Sequence, residues 1–174
     1  MEEEVSKTLA NFFPKSEETM YYAGEGSEYA PFQLTTTWLS EKYVQQVIDN
    51  GGGTTQQIYR ITNEEIQLIY NDLIEFEPVS FELDELDTLE TLEIILKTPI
   101  ENGTEFDQKT IQYPVKVKVP FAAFENAVLV SEKFETDTIN EYYVEQYGLV
   151  RREFITEDGY VITSSLASMG EPPS

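Results

Sequence analysis

The sequence contains no cysteine and no histidine. It therefore has no disulfide, no thiolate metal ligand and no catalytic triad that uses imidazole as its base. It also lacks the side chain that ordinarily changes charge near neutral pH. The absence of cysteine fits a bacterial protein that works outside the cytoplasm and avoids stray disulfides, and it fits cytoplasmic residence as well.

Basic residues are scarce in this chain. Eleven lysines and arginines face 33 acidic residues, which gives a formal net charge of −22. Such a field repels nucleic acids and anionic lipid headgroups, and it attracts cations and basic proteins. We therefore expect no nucleic-acid partner. The acidity is best interpreted as a solvated surface, with a specific basic partner as the alternative.

Long apolar runs are also missing. The N-terminal sequence MEEEVSKTLANFF has the wrong charge for a signal peptide, and no run approaches the length of a membrane span. If the protein is exported, we expect that its signal peptide has been removed and that Met1 is not the native start. Any membrane association would then depend on a lipid anchor outside this chain.

The size and composition fit one folded domain. The 174 residues are 40% hydrophobic and 13% aromatic, which is enough to build a core. We assign residues 1–11 to an N-terminal segment with a short predicted helix, residues 12–169 to a single β-rich domain, and residues 170–174 to a tail.

Apolar and polar residues alternate along much of the chain. Within Ile111–Val119, for example, Val115, Val117 and Val119 share one face, and the intervening lysines share the other. The asparagine-glycine or aspartate-glycine pairs at 50–51, 102–103 and 158–159 favour tight turns. Similar patterns predict further strands over Phe32–Leu39, Lys42–Ile48, Thr54–Ile61, Leu92–Lys97, Phe124–Phe134, Leu149–Ile155 and Tyr160–Leu166.

One stretch fits either a helix or a hairpin. Residues 62–65 form a helix-capping pattern, and apolar residues follow at helical spacing. The same tetrapeptide is a good turn between Ile58–Ile61 and Ile66–Tyr70, and we favour this hairpin. The acidic residues 75–93 predict a loop or a short helix. The predicted fold is all-β with minor helix: a curved antiparallel meander of about ten strands, forming a half-barrel or a sandwich.

Two segments of the chain echo each other faintly. FFPKSEETMYY and KTPIENGTEFD each contain a proline, a threonine five positions later and an aromatic residue seven positions later. Coincidence between two proline-marked loops is the simpler interpretation. The alternative is a duplicated half-domain.

Several phrases of the sequence follow one another in an order that resembles a known protein group. They are FFPKSEETMYYAGEG, IDNGGGTTQQIYRIT, IILKTPIENGTEF, FENAVLV and EYYVEQYGLVRREF. The chain resembles a group of uncharacterised secreted proteins and lipoproteins of Gram-positive bacteria over about Phe12 to Met169. In that group, an (L/I)-K-x-P-L-x-x-G-T-x-W phrase precedes the central strands, and a Y-Y-x-x-G-x-G-L-V-K phrase precedes the closing hairpin.

This chain departs from the group in two places. Phe106 stands where the group often has tryptophan, and Val119–Phe124 replaces a turn that contains glycine. The shared phrases are structural and carry no catalytic residues. The resemblance implies an exported β-rich domain at the cell surface or secreted, with a lipid anchor as one option.

No motif for catalysis, a metal or a cofactor stands out. The glycines of Asn50–Thr55 lack the ending of a phosphate-binding loop and are interpreted as a turn. The acidic residues 75–93 lack the spacing and the glycine of a calcium loop, so we interpret them as a solvated face. Nothing distinguishes one carboxylate pair as an acid and base. We therefore predict no enzyme activity, no metal and no cofactor.

The adjacent arginines at 151 and 152 are the most distinctive polar feature. If Leu149–Ile155 is a regular strand, Arg151 and Glu153 lie on one face and Arg152 on the other. Neither face is cleanly apolar, so the alternation does not show which one faces the core. Arg151 is expected to pair with neighbouring acids in solvent.

Two hypotheses describe Arg152. In the first, Arg152 points into a cleft and binds an anionic group of a ligand, and Tyr142 or Tyr147 completes the site. In the second, which we favour, Arg152 pairs with a carboxylate at the margin of the sheet while its alkyl stem lies along Phe154.

Aromatic residues offer a second candidate surface. Tyr21, Tyr22, Tyr29 and Phe32, with Trp38 beyond them, fit either a groove for a sugar or lipid or an ordinary core. We favour the core, and we keep Trp38 as a candidate ligand contact.

The sequence thus favours a non-catalytic binding module outside the cytoplasm, with a small molecule, lipid, glycan or protein as its ligand. The alternative is an acidic intracellular protein that binds or inhibits a basic partner protein. The missing nucleophile and base favour binding over catalysis in either case.

Overall fold

A computed structural model describes residues 9–15 and 17–170 and confirms the predicted all-β class. Strands account for 57% of the structure and helix for 4%, and one antiparallel sheet of twelve strands curves into a nearly closed barrel. The strands are β1 Thr19–Glu25, β2 Phe32–Trp38, β3 Tyr43–Asp49, β4 Thr54–Ile61, β5 Glu65–Leu73, β6 Glu93–Lys97, β7 Glu105–Phe106, β8 Lys109–Lys118, β9 Ala123–Lys133, β10 Thr138–Val144, β11 Gly148–Ile155 and β12 Val161–Gly170.

The barrel consists of two consecutive meanders. The strand order is β6-β5-β4-β3-β2-β1-β12-β11-β10-β9-β8-β7, so each half of the chain forms a run of neighbouring strands and β1 pairs with β12. The two echoing sequence segments lie in equivalent places, because Pro14 precedes β1 and Pro99 precedes β7.

The turn predictions are confirmed at the glycines. Gly51, Gly103 and Gly159 have φ angles of 86°, 93° and 84°, which glycine adopts without steric cost. Residues 62–65, which fit either a helix cap or a turn in the sequence, form the turn of the predicted hairpin. β5 follows β4 directly, and the Glu65 N–H donates to Thr62 Oγ1 at 2.9 Å. The sequence patterns did not single out β1, β7 or β10 as separate strands.

The acidic stretch contains the short helix α1, Leu83–Asp87, on the outer face of β3, β4 and β5. Leu86 is fully buried there, beside Tyr43 and Ile58. Arg60 Nη2 donates to the Leu86 and Leu89 carbonyl oxygens at 2.7 and 2.8 Å. Arg60 therefore fastens this acidic segment to the sheet.

The chain before β1, of which residues 9–15 and 17–18 are described and which is called the N-terminal segment from here on, contributes to the barrel core. Leu9 and Ala10 are helical, and the rest of the helix predicted over residues 2–11 lies largely outside the described residues. Leu9, Phe12 and Phe13 are at most 5% exposed, and they pack with inward-facing residues such as Tyr59 and Val128. The segment thus fills part of the space that the strands enclose.

A buried lysine joins the two ends of the sheet. β6 lies at one end of the strand order, and β7 and β8 lie at the other. Lys109 on β8 is 2% exposed, and its Nζ donates to Glu93 Oε2 and to the Ile94 carbonyl oxygen, each at 2.7 Å. Backbone hydrogen bonds do not pair β6 with β7 or β8 in the described sheet, and these side-chain contacts connect β8 to β6 there.

We predict that Lys109→Met destabilises the protein by about 1–3 kcal/mol, because Glu93 and the Ile94 carbonyl oxygen lose their donor. Lys116 on the same strand is exposed and is the matched control. Lys116→Met should change the free energy of unfolding by less than about 0.5 kcal/mol. Urea denaturation measures both, and equal effects would contradict the role of Lys109 in closing the barrel.

Candidate functional site

A cavity of ≈ 110 Å³ lies between the inward-facing side chains of the barrel and the N-terminal segment. Much of its lining is apolar or aromatic and includes Phe12, Phe13, Tyr22, Phe32, Leu34, Tyr59, Ile66, Leu68 and Leu149. Its polar lining is Gln46, Gln57, Glu93, Glu141, Tyr143 and Arg152. A cavity lined by both apolar and polar side chains is a candidate ligand-binding site.

The N-terminal segment is held in place by specific contacts that shape this cavity. Trp38 Nε1 donates to the Pro14 carbonyl oxygen at 2.8 Å, and the Gln146 N–H donates to the Asn11 carbonyl oxygen at 2.6 Å. A Cβ at Gly148 would lie 2.6 Å from the Phe12 carbonyl oxygen, so β11 must start with glycine where the segment crosses it. Phe12 and Phe13 consequently form one wall of the cavity.

Arg152 points into the cavity and forms an ion pair there. Arg152 lies opposite Glu141 in the pairing of β10 with β11, and a register shift in this pairing between Tyr142 and Tyr143 places Leu149 and Arg152 on the same wall of the cavity. Arg152 Nε lies 3.0 Å from Glu141 Oε2, and Tyr143 Oη donates to Glu141 Oε1 at 3.2 Å. Glu141 is thus satisfied by two donors from within the barrel.

The two terminal amino groups of Arg152 have spare hydrogen-bonding capacity. Within the described part of the chain, Nε is the one guanidinium nitrogen of Arg152 that donates to a protein acceptor. The side chain keeps 43% of its surface accessible, and it lines the cavity. Nη1 and Nη2 can therefore donate to a ligand without first breaking a bond to the protein.

The electrostatic surroundings keep this guanidinium charged. Burial alone lowers the pKa of Arg152, but the Glu141 carboxylate, together with Tyr143 and Tyr59, raises that pKa above its usual value overall. Burial also raises the pKa of Tyr22, Tyr59 and Tyr143 above the usual value of 10.0. The tyrosines are therefore protonated, and Arg152 is positively charged, at physiological pH.

The tyrosine hydroxyl groups donate to the protein. Tyr22 Oη donates to the Leu149 carbonyl oxygen at 2.5 Å, and Tyr59 Oη donates to Gln57 Oε1 at 2.7 Å. Since Tyr143 Oη donates to Glu141, these three protons are used within the barrel. Arg152 is left as the main donor that faces the cavity.

The structure separates the residues that the sequence placed together with Arg152. Tyr142 pairs with Arg151 across the strands on the outer face of the barrel. Tyr147 packs against Phe121 and Phe124, with ring centroids 5.4 Å apart in each pair. Trp38 contacts Phe13 and the N-terminal segment instead. None of Tyr142, Tyr147 and Trp38 lines the cavity.

The favoured interpretation of Arg152 is correct about its pairing and wrong about its location. Arg152 does pair with a carboxylate, but β11 lies within the sheet and the pair is inside the barrel, not at the sheet margin. The pairing predicted for Arg151 is confirmed, because its Nε lies 2.9 Å from Glu153 Oε2 on the outer face.

Sequence reasoning did not identify Glu141, Tyr59 or Tyr143 as parts of the site. Glu141 and Tyr143 alternate with outward-facing residues in β10, and this period of two was the available signal. Tyr22 and Phe32 were assigned to the core and are buried there, with their rings stacked 4.2 Å apart, and they also line the cavity.

The described residues offer neither a cluster of metal ligands nor a membrane-spanning helix. Residues 9–15 and 17–170 contain no group of three or more acidic side chains arranged to hold a metal ion. In the same ranges, no helix has the length and apolar character needed to cross a membrane.

Comparisons with known proteins show the fold. No family model matches the sequence, and no curated protein matches it. A proposed exported protein of Bacteroides fragilis with a YmcC-like fold is similar in structure, with a TM-score of 0.56 and 13% identity over 92% of this chain and 99% of that one. A proposed lipoprotein of Parabacteroides distasonis has a TM-score of 0.50 and 15% identity over 91% of this chain and 97% of that one.

These comparisons support part of the resemblance seen in the sequence. The two neighbours are described as exported or as a lipoprotein, and this chain shares their fold. The Gram-positive origin implied by the resemblance finds no support in them.

We predict that Arg152→Met destabilises the protein by about 1–3 kcal/mol, because the Glu141 carboxylate, whose side chain is 16% exposed, loses its charged partner. Addition of Glu141→Gln to Arg152→Met should recover part of the lost stability in thermal or urea unfolding. A double variant no more stable than Arg152→Met alone would contradict the role of this ion pair.

Proposed function

We propose that this chain is a non-catalytic binding module that works outside the cytoplasm and holds a small ligand inside its barrel. The observation that carries the proposal is Arg152, which lines the cavity and whose two terminal amino groups have no protein acceptor within the described residues. A guanidinium group in this position offers directed donors to a ligand and fixes its orientation.

The cavity supplies the apolar part of such a site. Phe32, Leu34 and Leu68 are each at most 8% exposed and line it, so a ligand there is shielded from water. Burial of apolar ligand surface supplies the main driving force, and the arginine supplies the selectivity. This division of roles is typical of sites inside β-barrels.

A location outside the cytoplasm is supported by two independent likenesses. The phrases of the sequence resemble secreted proteins and lipoproteins, and the two structural neighbours are described as a proposed exported protein and a proposed lipoprotein. The absence of cysteine is compatible with this location.

A non-catalytic role is supported by the residues that the chain has. Without cysteine and histidine, the chain has no thiol nucleophile and no imidazole base. The carboxylate in the cavity, Glu141, already accepts hydrogen bonds from Arg152 and Tyr143. It is thus engaged in holding the arginine.

A second candidate function is the capture of a basic partner protein. Leu73, Phe76 and Leu92 are 72%, 95% and 61% exposed in a segment rich in acidic residues. Apolar side chains amid negative charge favour a basic partner with apolar anchors. In this alternative, the protein is intracellular.

Cell fractionation separates the two candidates. We predict that the protein, expressed from its complete gene in its source organism, is recovered from the envelope or the medium. Recovery from the cytoplasm, together with salt-sensitive capture of a basic protein, would favour the second candidate instead. A cytoplasmic enzyme of the same organism serves as the fractionation control.

A fragment library tests the binding site directly. We predict that ligand-observed NMR finds small organic fragments that bind the native chain and that lose binding in Leu34→Phe, since the added ring occupies the cavity. Leu129 lies opposite Tyr142 on the outer face, and Leu129→Phe is the matched control that should keep all hits. Hits that survive in Leu34→Phe, or a library without hits, would contradict a site inside the barrel.

A further inference from the structure

We infer that the ligand meets Arg152 with an uncharged oxygen, such as the carbonyl group of an amide, ester or ketone, carried on a short apolar body. This inference rests on the proposed function and names the chemical class of the ligand. It differs from the anionic ligand that the sequence predicts for an inward-facing Arg152.

The charge of the site argues for an uncharged group. Glu93 and Glu141 line the cavity together with Arg152, and Glu141 lies 3.0 Å from the arginine Nε. The positive charge of Arg152 is therefore already balanced inside the barrel. A ligand carboxylate at Nη1 and Nη2 would approach the Glu141 carboxylate across the same guanidinium, where the two negative charges repel each other.

The second carboxylate does not change this balance. Glu93 receives a hydrogen bond from Lys109 Nζ at 2.7 Å, and Lys109 itself is not part of the cavity lining. The pairs Arg152–Glu141 and Lys109–Glu93 are each neutral in sum. The lining residues include no cation besides Arg152. The net charge of −22 on the whole chain further opposes the entry of an anion.

The hydrogen-bonding pattern argues for an acceptor. The hydroxyl protons of Tyr22, Tyr59 and Tyr143 are donated to protein oxygens, whereas Nη1 and Nη2 of Arg152, a lining residue, have no protein acceptor within the described residues. A carbonyl oxygen has two lone pairs and accepts from both amino groups. It also enters the apolar cavity without the desolvation cost of an ionised carboxylate.

The volume of the cavity limits the size of the bound group. The ≈ 110 Å³ space suits a small group such as a short alkyl chain with a carbonyl group. Phe32, Leu34 and Leu68 line the space and would contact the alkyl part. Butyramide and butyrate therefore make a matched pair of probes, since they have the same carbon chain and differ in charge at neutral pH.

NMR titration of the isotope-labelled protein with each probe tests the inference. Butyramide should bind and shift the signals of Leu34, Leu68 and Leu149, and butyrate should bind at least about tenfold more weakly at neutral pH. Tighter binding of butyrate would overturn the uncharged-ligand inference and leave the proposed function standing. Failure of both probes, together with a fragment library without hits, would overturn both.

The Glu141→Gln variant tests the physical reason. Removal of this negative charge should raise the affinity for butyrate by about tenfold or more and change the affinity for butyramide little. Glu153 pairs with Arg151 on the outer face, so Glu153→Gln is the matched control and should leave both affinities unchanged. An unchanged preference in Glu141→Gln, with the variant folded, would overturn the charge-balance argument.

Discussion

The ion pair between Arg152 and Glu141 is the interaction on which the interior of the barrel depends. A guanidinium group inside a protein needs a charged partner, and Glu141 provides it from the neighbouring strand at 3.0 Å. The pair exists because β10 and β11 are aligned with these two residues opposite each other. A slip of one residue in either strand would move its member of the pair to the outer face.

The rest of the architecture shields Glu141 more than Arg152 from bulk water, since their side chains are 16% and 43% exposed. The N-terminal segment places Phe12 and Phe13 against the cavity, and glycine at 148 permits the close crossing. On the far side, Lys109 connects β8 to β6 where the sheet does not close by backbone pairing. The chain therefore uses buried polar contacts at the places where strand pairing alone leaves the barrel open.

The alternation of apolar and polar side chains was enough to predict the all-β fold. The site could not be predicted in the same way, because it depends on strand register and on packing between distant strands. The strands around Val115, Val117 and Val119 have one clearly apolar face, and their inward side was predictable. The strand with Arg151 and Arg152 is polar on both faces, so its inward side was not. The Glu141 partner required the register of β10 with β11, and the cavity is a property of packing among strands from both halves of the chain.

The most direct test of a ligand-holding barrel is a crystal structure of the protein purified from its own source without any added small molecule. The account predicts electron density for an uncharged, carbonyl-bearing molecule inside the barrel, within hydrogen-bonding distance of Nη1 and Nη2 of Arg152. A barrel interior filled by protein side chains, with Arg152 turned out to solvent, would contradict it.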